Sequence, residues 1–436
     1  MWGPKPGIPS AGDGVRGHLA FLYDRLSEKL WLRPLCFSLL AVLAVFGAAA
    51  ADSFGFTTLV PRIERDLVDQ LLSIIAASML GVATFAVGSM VSAYGSVSSS
   101  ATPRAFALVV SDDVSKTALS TFIAAFIFSV IALVAIKSDI YGRSGLFCLF
   151  AMTIVVLAWV VFTFVRWVDQ IARLGRIGTA VERIERATEQ AIDRRRRSPT
   201  LGAIPLVVDE DPGEPLRCAS IGYVQHIDVA ALQACATKYA LAVSVAALPG
   251  TFVGPGSALA YIKGDDGLSP ELDRSVFTKA FLVGRERTFA EDPRFGLIAL
   301  SEIAGRALSP AINDPGTAIG IIGSFVRLFA LWTTPLPRDE QDTSPQFDRV
   351  RVPPLALRDL FDDAFTAISR DGAGSIEVVV RLQKAFLSLL AIDNAELTEA
   401  ARKHSLRAQQ QAEKSLGTPE EIEMAAKLAA QVAGRR

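Results

Sequence analysis

The stretch QLLSIIAASMLGVATFAVGSMVSAYGSVSSSATP, residues 70–103, contains no Asp, Glu, Lys or Arg. Small residues recur along it at steps of three or four: Ser73, Ala77, Gly81, Thr84, Gly88, Ser92, Gly95 and Ser99. That spacing puts all eight on one side of an α-helix, leaving a face with almost no bulk. A long uncharged helix with such a face predicts an integral membrane protein built around it. The stripe admits two uses, close helix packing or the wall of a passive water-filled path. In the second use Leu80, Val87 or Val91 would supply a hydrophobic constriction.

Three further uncharged stretches lie at 34–51, 117–136 and 144–165. Each approaches the roughly 20 apolar residues that cross a hydrocarbon core of about 30 Å. The prediction is therefore a four-span transmembrane domain over 34–165, preceded by a cytoplasmic segment at 1–33. At about 1.5 Å per residue the second stretch would reach about 50 Å, so its end near 96–103 is expected to leave the bilayer and turn, with Pro103 as the break. Pro4, Pro6, Gly7 and Pro9 far ahead of the first span argue against a signal peptide and for a retained anchor. Lys5, Arg16, Arg25, Lys29 and Arg33 precede the spans, and Arg166, Arg173, Arg176 and Arg183 follow them, which predicts cytoplasmic N and C termini. The intervening loops are then 52–69 and 137–143 outside and 104–116 inside.

Composition narrows the function further. The chain of 436 residues is 51% hydrophobic, with 44 basic and 45 acidic side chains and a net charge of −1, so no nucleic-acid partner is expected. Cys36, Cys148, Cys218 and Cys235 form no CxxC pair, and neither a disulfide framework nor a zinc site is expected. His18, His226 and His404 lie in three separate regions, and no nucleophile elbow, Walker loop, HExxH or dinucleotide fingerprint is present. The expectation is a protein that is not an enzyme and has no cofactor. The spans carry no Asp, Glu, His or Lys inside, which argues against a proton-coupled carrier.

Behind the spans, residues 166–200 read as a basic amphipathic linker helix. Leu174, Ile177, Val181, Ile184, Thr188 and Ala191 make an a/d seam, which serves either packing on its own subunit or a parallel bundle about an oligomer axis. Arg194, Arg195, Arg196 and Arg197 end it, suited to acidic headgroups, to the negative end of the helix dipole, or to plain solvation. Residues 201–264 read as a β-rich module with strands at 204–208, 222–227, 241–246 and 258–262. A helix at 229–239 follows the N-cap Asp228. Residues 249–262 are similar to the half-barrel of biotinyl and lipoyl carrier folds, but without a lysine in the hairpin the likeness implies shape and not cofactor attachment. Residues 265–392 read as a helical domain: Ser269-Pro270 opens a helix through Arg287, Asp292-Pro293 one through Leu308, and Asp314-Pro315 one to Trp332. A loop with five prolines follows at 333–354, then helices at 355–370, 375–391 and 394–414. Thr418-Pro419-Glu420-Glu421 caps the last helix of a C-terminal extension at 393–436. The fold class is thus an α-helical membrane protein with a cytoplasmic α+β half, comprising a small barrel-sandwich-like β module and a helical domain.

The densest polar group comprises Arg285, Arg287, Thr288, Asp292, Arg306, Ser309, Asn313, Asp314 and Thr317. Arginine forks and the N–H groups of helix starts suit an anion or nucleotide. The same residues equally suit a structural network in which Asp292, Ser309 and Asp314 cap helices and the arginines pair with them.

The four spans are followed by Gly222-Tyr223-Val224-Gln225, Ile227-Asp228, Pro249-Gly250 and Phe252-Val253. Further along come Gly284-Arg285-Glu286-Arg287-Thr288, Asp292-Pro293, Phe295-Gly296 and Ala307-Leu308-Ser309-Pro310-Ala311-Ile312-Asn313-Asp314-Pro315. This series resembles the bacterial predicted membrane protein family catalogued as domain of unknown function 2254, over about residues 30–395. The resemblance implies an inner-membrane protein with a cytoplasmic C-terminal half and names no reaction. The expectation is a homo-oligomer in the lipid bilayer whose second span lies at the centre and lines a passive path for a small ion or solute, with the cytoplasmic half assembling and gating it. The alternative is a membrane-anchored sensor or scaffold that binds an anionic ligand or partner through Arg285, Arg287 and Arg306.

Overall fold

The computed structural model describes residues 32–50, 61–100, 102, 104, 113–174, 177–206, 213–264, 267–269, 272–337 and 345–435. The chain divides into two compact units, Met1–Ala180 and Val181–Arg436.

The first unit contains α1 (Leu32–Ala50), α2 (Arg65–Ser100), α3 (Asp113–Lys137) and α4 (Arg143–Leu174). Pro34 falls in the first turn of α1, where a missing N–H costs nothing, and no proline interrupts the other three. Helix α3 is the centre of this unit and packs against α1, α2 and α4. Phe122 and Phe128 of α3 are fully buried, and Trp167 of α4 sets its ring edge-on to Phe122 and Phe85, with centroids 6.2 Å apart in both pairs. Two buried hydroxyls on these apolar helices bond back to their own main chain, Ser120 to Lys116 O at 2.7 Å and Thr153 to Leu149 O at 2.8 Å.

Helices α2, α3 and α4 are each long and apolar enough to cross a membrane. The described part of α1 that is apolar, Pro34–Ala49, is shorter than these. Helix α2 ends at Ser100, inside the 96–103 interval expected to end it, and its 36 residues span about 54 Å; Pro103 lies outside the described residues. One expectation needs correction: the helix begins at Arg65, so the loop expected over 52–69 is helical in its last part, while residues 52–60 and 105–112 of the expected loops lie outside the described residues.

The second unit receives α5 (Ile177–Arg197), of which residues 181–197 belong to it. Among the described residues eight strands follow in two sheets: β1 (Ala203–Pro205), β2 (Glu214–Arg217), β3 (Gly222–Ile227), β4 (Leu241–Val245), β5 (Phe252–Val253), β6 (Ala258–Gly264), β7 (Phe281–Gly284) and β8 (Phe347–Val352). Helices α6 (Val229–Lys238) and α7 (Ser275–Thr278) sit among them. The sheet orders are β1-β8-β4-β6-β2 and β5-β3-β7, with β8 parallel to both β1 and β4 and the other pairs antiparallel. Val224, Ile227, Leu232, Val243, Ile262, Phe277 and Val350 form one shared core. Asp228 caps α6 by accepting the Ala231 N–H at 2.8 Å, as its position before the helix predicts.

The β region is therefore not the contiguous 201–264 module. The helix expected through Arg287 is instead the single turn α7 followed by strand β7, and the proline-rich loop expected at 333–354 contains β8, a central strand. A helical layer completes the unit: α8 (Pro293–Ala307), α9 (Pro315–Thr333), α10 (Leu357–Asp371), α11 (Ile376–Leu389), α12 (Ala395–Ser415) and α13 (Pro419–Gly434). Helix α9 also meets the length and apolarity of a membrane span. Its apolar face is occupied within the unit, where Phe325 and Phe329 pack with Phe361 and Phe365 of α10 at ring distances of 4.2–5.7 Å. Helices α12 and α13 pack on α10 and α11, so residues 393–435 are part of this layer.

Candidate functional site

The small-residue stripe sits on the outer side of its own unit. The face of α2 that packs inward carries Val68, Leu72, Ile75, Met79, Ala83, Ala86 and Met90. Ser73, Ala77, Gly81, Thr84, Gly88, Ser92 and Gly95 are all exposed, and at 100° per residue their mean direction is about 170° from the buried face. The side chain of Ser99 lies outside the described residues. A Cβ built at Gly81, Gly88 or Gly95 meets nothing within 4 Å. The stripe therefore packs no helix of its own chain among the described residues. Leu80, Val87 and Val91 are exposed beside it, and the Thr84 hydroxyl is already satisfied by Leu80 O at 2.9 Å.

The polar residues of the second unit fall into two groups. At the start of α8, Asp292 caps the helix by accepting the Phe295 N–H at 3.2 Å, and its other oxygen accepts from Arg287 Nε at 2.7 Å. The Arg287 guanidinium also lies 5.3 Å from the centre of the Phe295 ring. Gly250, at φ +92°, closes the same spot: a Cβ there would lie 2.2 Å from Asp292 Oδ2 and 2.8 Å from Arg287 Nη2. Gln225 donates to Glu286 O at 2.7 Å, and His226 Nδ1 lies 2.5 Å from Glu291 Oε1, which holds the imidazole pKa above its ordinary value. Arg285 is exposed, and Thr288 is half-buried.

The second group is at the far end of the same helix, about 22 Å away along 15 residues. Ser309 Oγ donates to Arg306 O at 2.7 Å, and Asp314 caps α9 by accepting the Thr317 N–H at 3.1 Å and the Thr317 hydroxyl at 2.6 Å. Those two bonds hold the Asp314 carboxyl below its usual range. Asn313 takes a left-handed φ of 49° between them. The expectation of one constellation is thus corrected, because α8 keeps Arg287 and Asp292 apart from Arg306, Ser309, Asn313, Asp314 and Thr317. In both groups the carboxylates serve as caps, with their oxygens already engaged.

The chain's sequence matches the family described as Predicted membrane protein (DUF2254) over residues 27–388. The chain belongs to this family. An uncharacterized protein of Mycobacterium tuberculosis, MT1328, is 38% identical over 115 residues, which is 25% of this chain and 21% of that protein. The uncharacterized protein Mb1321c of Mycobacterium bovis is 36% identical over 112 residues, with the same coverage. The chain thus spans about a fifth of the length of these relatives. No solved structure matches.

In this DUF2254 chain three polar assemblies have no forewarning in the sequence. Glu185 of α5 accepts from Arg327 Nε at 2.6 Å, Arg327 Nη2 at 2.9 Å and Ser324 Oγ at 2.6 Å. Burial pushes its carboxyl up, but these bonds outweigh burial and hold it below the ordinary value. Arg294 of α8 grips Asp363 of α10 through two bonds, at 2.5 and 3.1 Å, while burial leaves the Asp363 carboxyl raised. His404 of α12 is 2% exposed between Phe361 and Phe365, and burial pushes its pKa down to about 4. Each pairs residues more than sixty positions apart, or buries one of them through distant packing. Only the i,i+3 step between Ser324 and Arg327 is local enough to be seen in advance. Helix α5 is also closed against its own unit: Ile184, Thr188 and Ala191 of the a/d seam are buried, and Thr188 touches α8 where Gly296 leaves room for it.

Proposed function

We propose that the chain is one subunit of a homo-oligomeric membrane protein in which α2 of each copy turns its small-residue stripe toward the assembly's centre. There the stripes line a passive path for a small ion or solute. The second unit then acts in the cytoplasm as an assembly and gating domain, in an inner membrane with both termini cytoplasmic. The observation that carries this reading is the exposure of all seven described stripe residues, opposite the face that α2 packs inward. Small residues allow close helix approach or leave a wettable lumen, and neither use is met among the described residues of one chain. The absence of charge in 70–103, 117–136 and 144–165 favours a passive path over proton coupling. The anchored-sensor reading has less support, since Arg287 is committed to Asp292 and α8 separates it from Arg306.

Flux through reconstituted vesicles tests the path. Gly88→Leu places a bulky side chain on the stripe and should lower ion or solute flux at least tenfold relative to the unaltered chain while the oligomer stays assembled. Unchanged flux in an intact assembly carrying this substitution would remove the path from the account.

A further inference from the structure

Of the four arginines that end α5, two turn to other tasks and two line a pocket. Arg194 Nη2 donates to Ala290 O at 2.6 Å, and Arg197 pairs with Asp193 at 2.8 Å. Arg195 and Arg196 line a cavity of about 290 Å³ with Trp332, Leu336, Pro354 and Leu355 as its apolar walls. Arg195 is only 4% exposed, an unusual place for a permanent cation. Its Nη2 donates to Pro353 O at 3.4 Å, and Arg196 Nη1 donates to Leu331 O near the end of α9. These carbonyls fix both side chains in place, yet the Nε–H of each is buried without any hydrogen-bond partner.

Arg195 also has no carboxylate in ion-pair contact among the described residues. Glu291 and Asp292 are near enough to favour its charge, but they bond to His226 and Arg287. Burial pulls the guanidinium down to about 10. A buried cation short of acceptors is costly to keep unless something supplies them. Two guanidinium groups that line one cavity suit a multi-oxygen anion, the geometry they match best. The apolar remainder of the cavity accommodates a small organic body attached to that anion.

We propose that this pocket binds the phosphoryl group of a small organic phosphate, with Arg195 and Arg196 holding the oxyanion and the organic body resting on Trp332 and Leu336. The phosphoryl group comes either from a free organic phosphate or from a phospholipid headgroup. The site is independent of the stripe on α2, so flux results do not bear on it.

The test uses the purified full chain in detergent with three probes: inorganic phosphate, phenyl phosphate and dihexanoyl phosphatidic acid. Phenyl phosphate should raise the thermal midpoint saturably and change tryptophan emission, the emission change being absent in Trp332→Phe and with potassium chloride at equal ionic strength. Inorganic phosphate should compete with it. Arg195→Met should weaken binding at least tenfold. Thr334 is exposed on the rim, so Thr334→Glu should abolish the response without lowering the midpoint, by offering the arginines a carboxylate; this variant keeps the test open if Arg195→Met does not fold. Phosphatidic acid binding tenfold tighter than phenyl phosphate assigns the headgroup source, and the reverse order assigns the free one. No saturable response to any probe, or equal affinity in Thr334→Glu and the unaltered chain, overturns the proposal.

Discussion

Two glycines make opposite predictions from their surroundings. Gly250 holds φ at +92° with its N–H on Val224 O at 2.8 Å, and any Cβ would strike the Asp292 carboxylate. Gly250→Ala should therefore destabilise the second unit by about 1–3 kcal/mol, through backbone strain and displacement of the Asp292 cap. Gly320 lies exposed inside α9, and a Cβ there meets nothing within 4 Å. Gly320→Ala should stabilise by about 0.5–1 kcal/mol, the ordinary gain of helix propensity. Denaturant unfolding of the two variants reads both signs. Pro249-Gly250 is legible in the sequence as a turn. That the turn rests on Asp292 is not, because the contact joins residues far apart in the chain and leaves no local pattern.

Among the elements, α5 and α9 are joined by the bidentate grip of Arg327 on Glu185, with Ser324 as third donor. Glu185→Ala would leave the Arg327 and Ser324 donors without this acceptor. Because Arg327 is 61% exposed and solvent screens it, the loss should be on the order of 2 kcal/mol rather than the larger value of a fully buried pair. The pH response follows from His404. Its folded pKa of about 4 lies below the ordinary 6.5, so between these values the unfolded chain binds a proton that the folded chain refuses. Stability is full above pH 6.5 and falls on acidification toward 4. Asp362 at 3.2 Å from Nε2 opposes the effect, while Arg407 and Lys403 reinforce it. The lowered Glu185 carboxyl acts in the same direction, losing its contribution as pH falls through its folded value. Thermal midpoints of His404→Leu should be flatter than those of the unaltered chain across pH 6.5 to 4; parallel curves would refute the assignment. Elements with strong periodicity or caps are legible: β3 falls on 222–227, and α10 to α13 lie within a few residues of their predicted bounds. Strands β7 and β8 are not. Phe281–Gly284 is too short a run to distinguish from helix, and Phe347–Val352 sits among prolines, so its inward Val350 and Val352 become evident only once β1 and β4 flank them.

At the scale of the molecule, the uncharged 70–103 run is legible as a membrane-type helix from composition alone. Which neighbour its small face meets is not, since a helical period gives a face and not a partner. Among the described residues no helix of the chain covers that face, and lipid and another copy are candidates. A second copy makes a definite geometric demand: equivalent stripe positions on neighbouring subunits must come close together. Outward positions on α4 such as Val161, which is 54% exposed, need not. The direct measurement is oxidative cross-linking in native membranes, with Cys36, Cys148, Cys218 and Cys235 first replaced by Ser or Ala. Gly81→Cys and Gly88→Cys should each give a disulfide-linked dimer, while Val161→Cys should remain monomeric under the same oxidant. Monomer at both stripe positions, or cross-linking equal to that of Val161→Cys, would contradict a central α2.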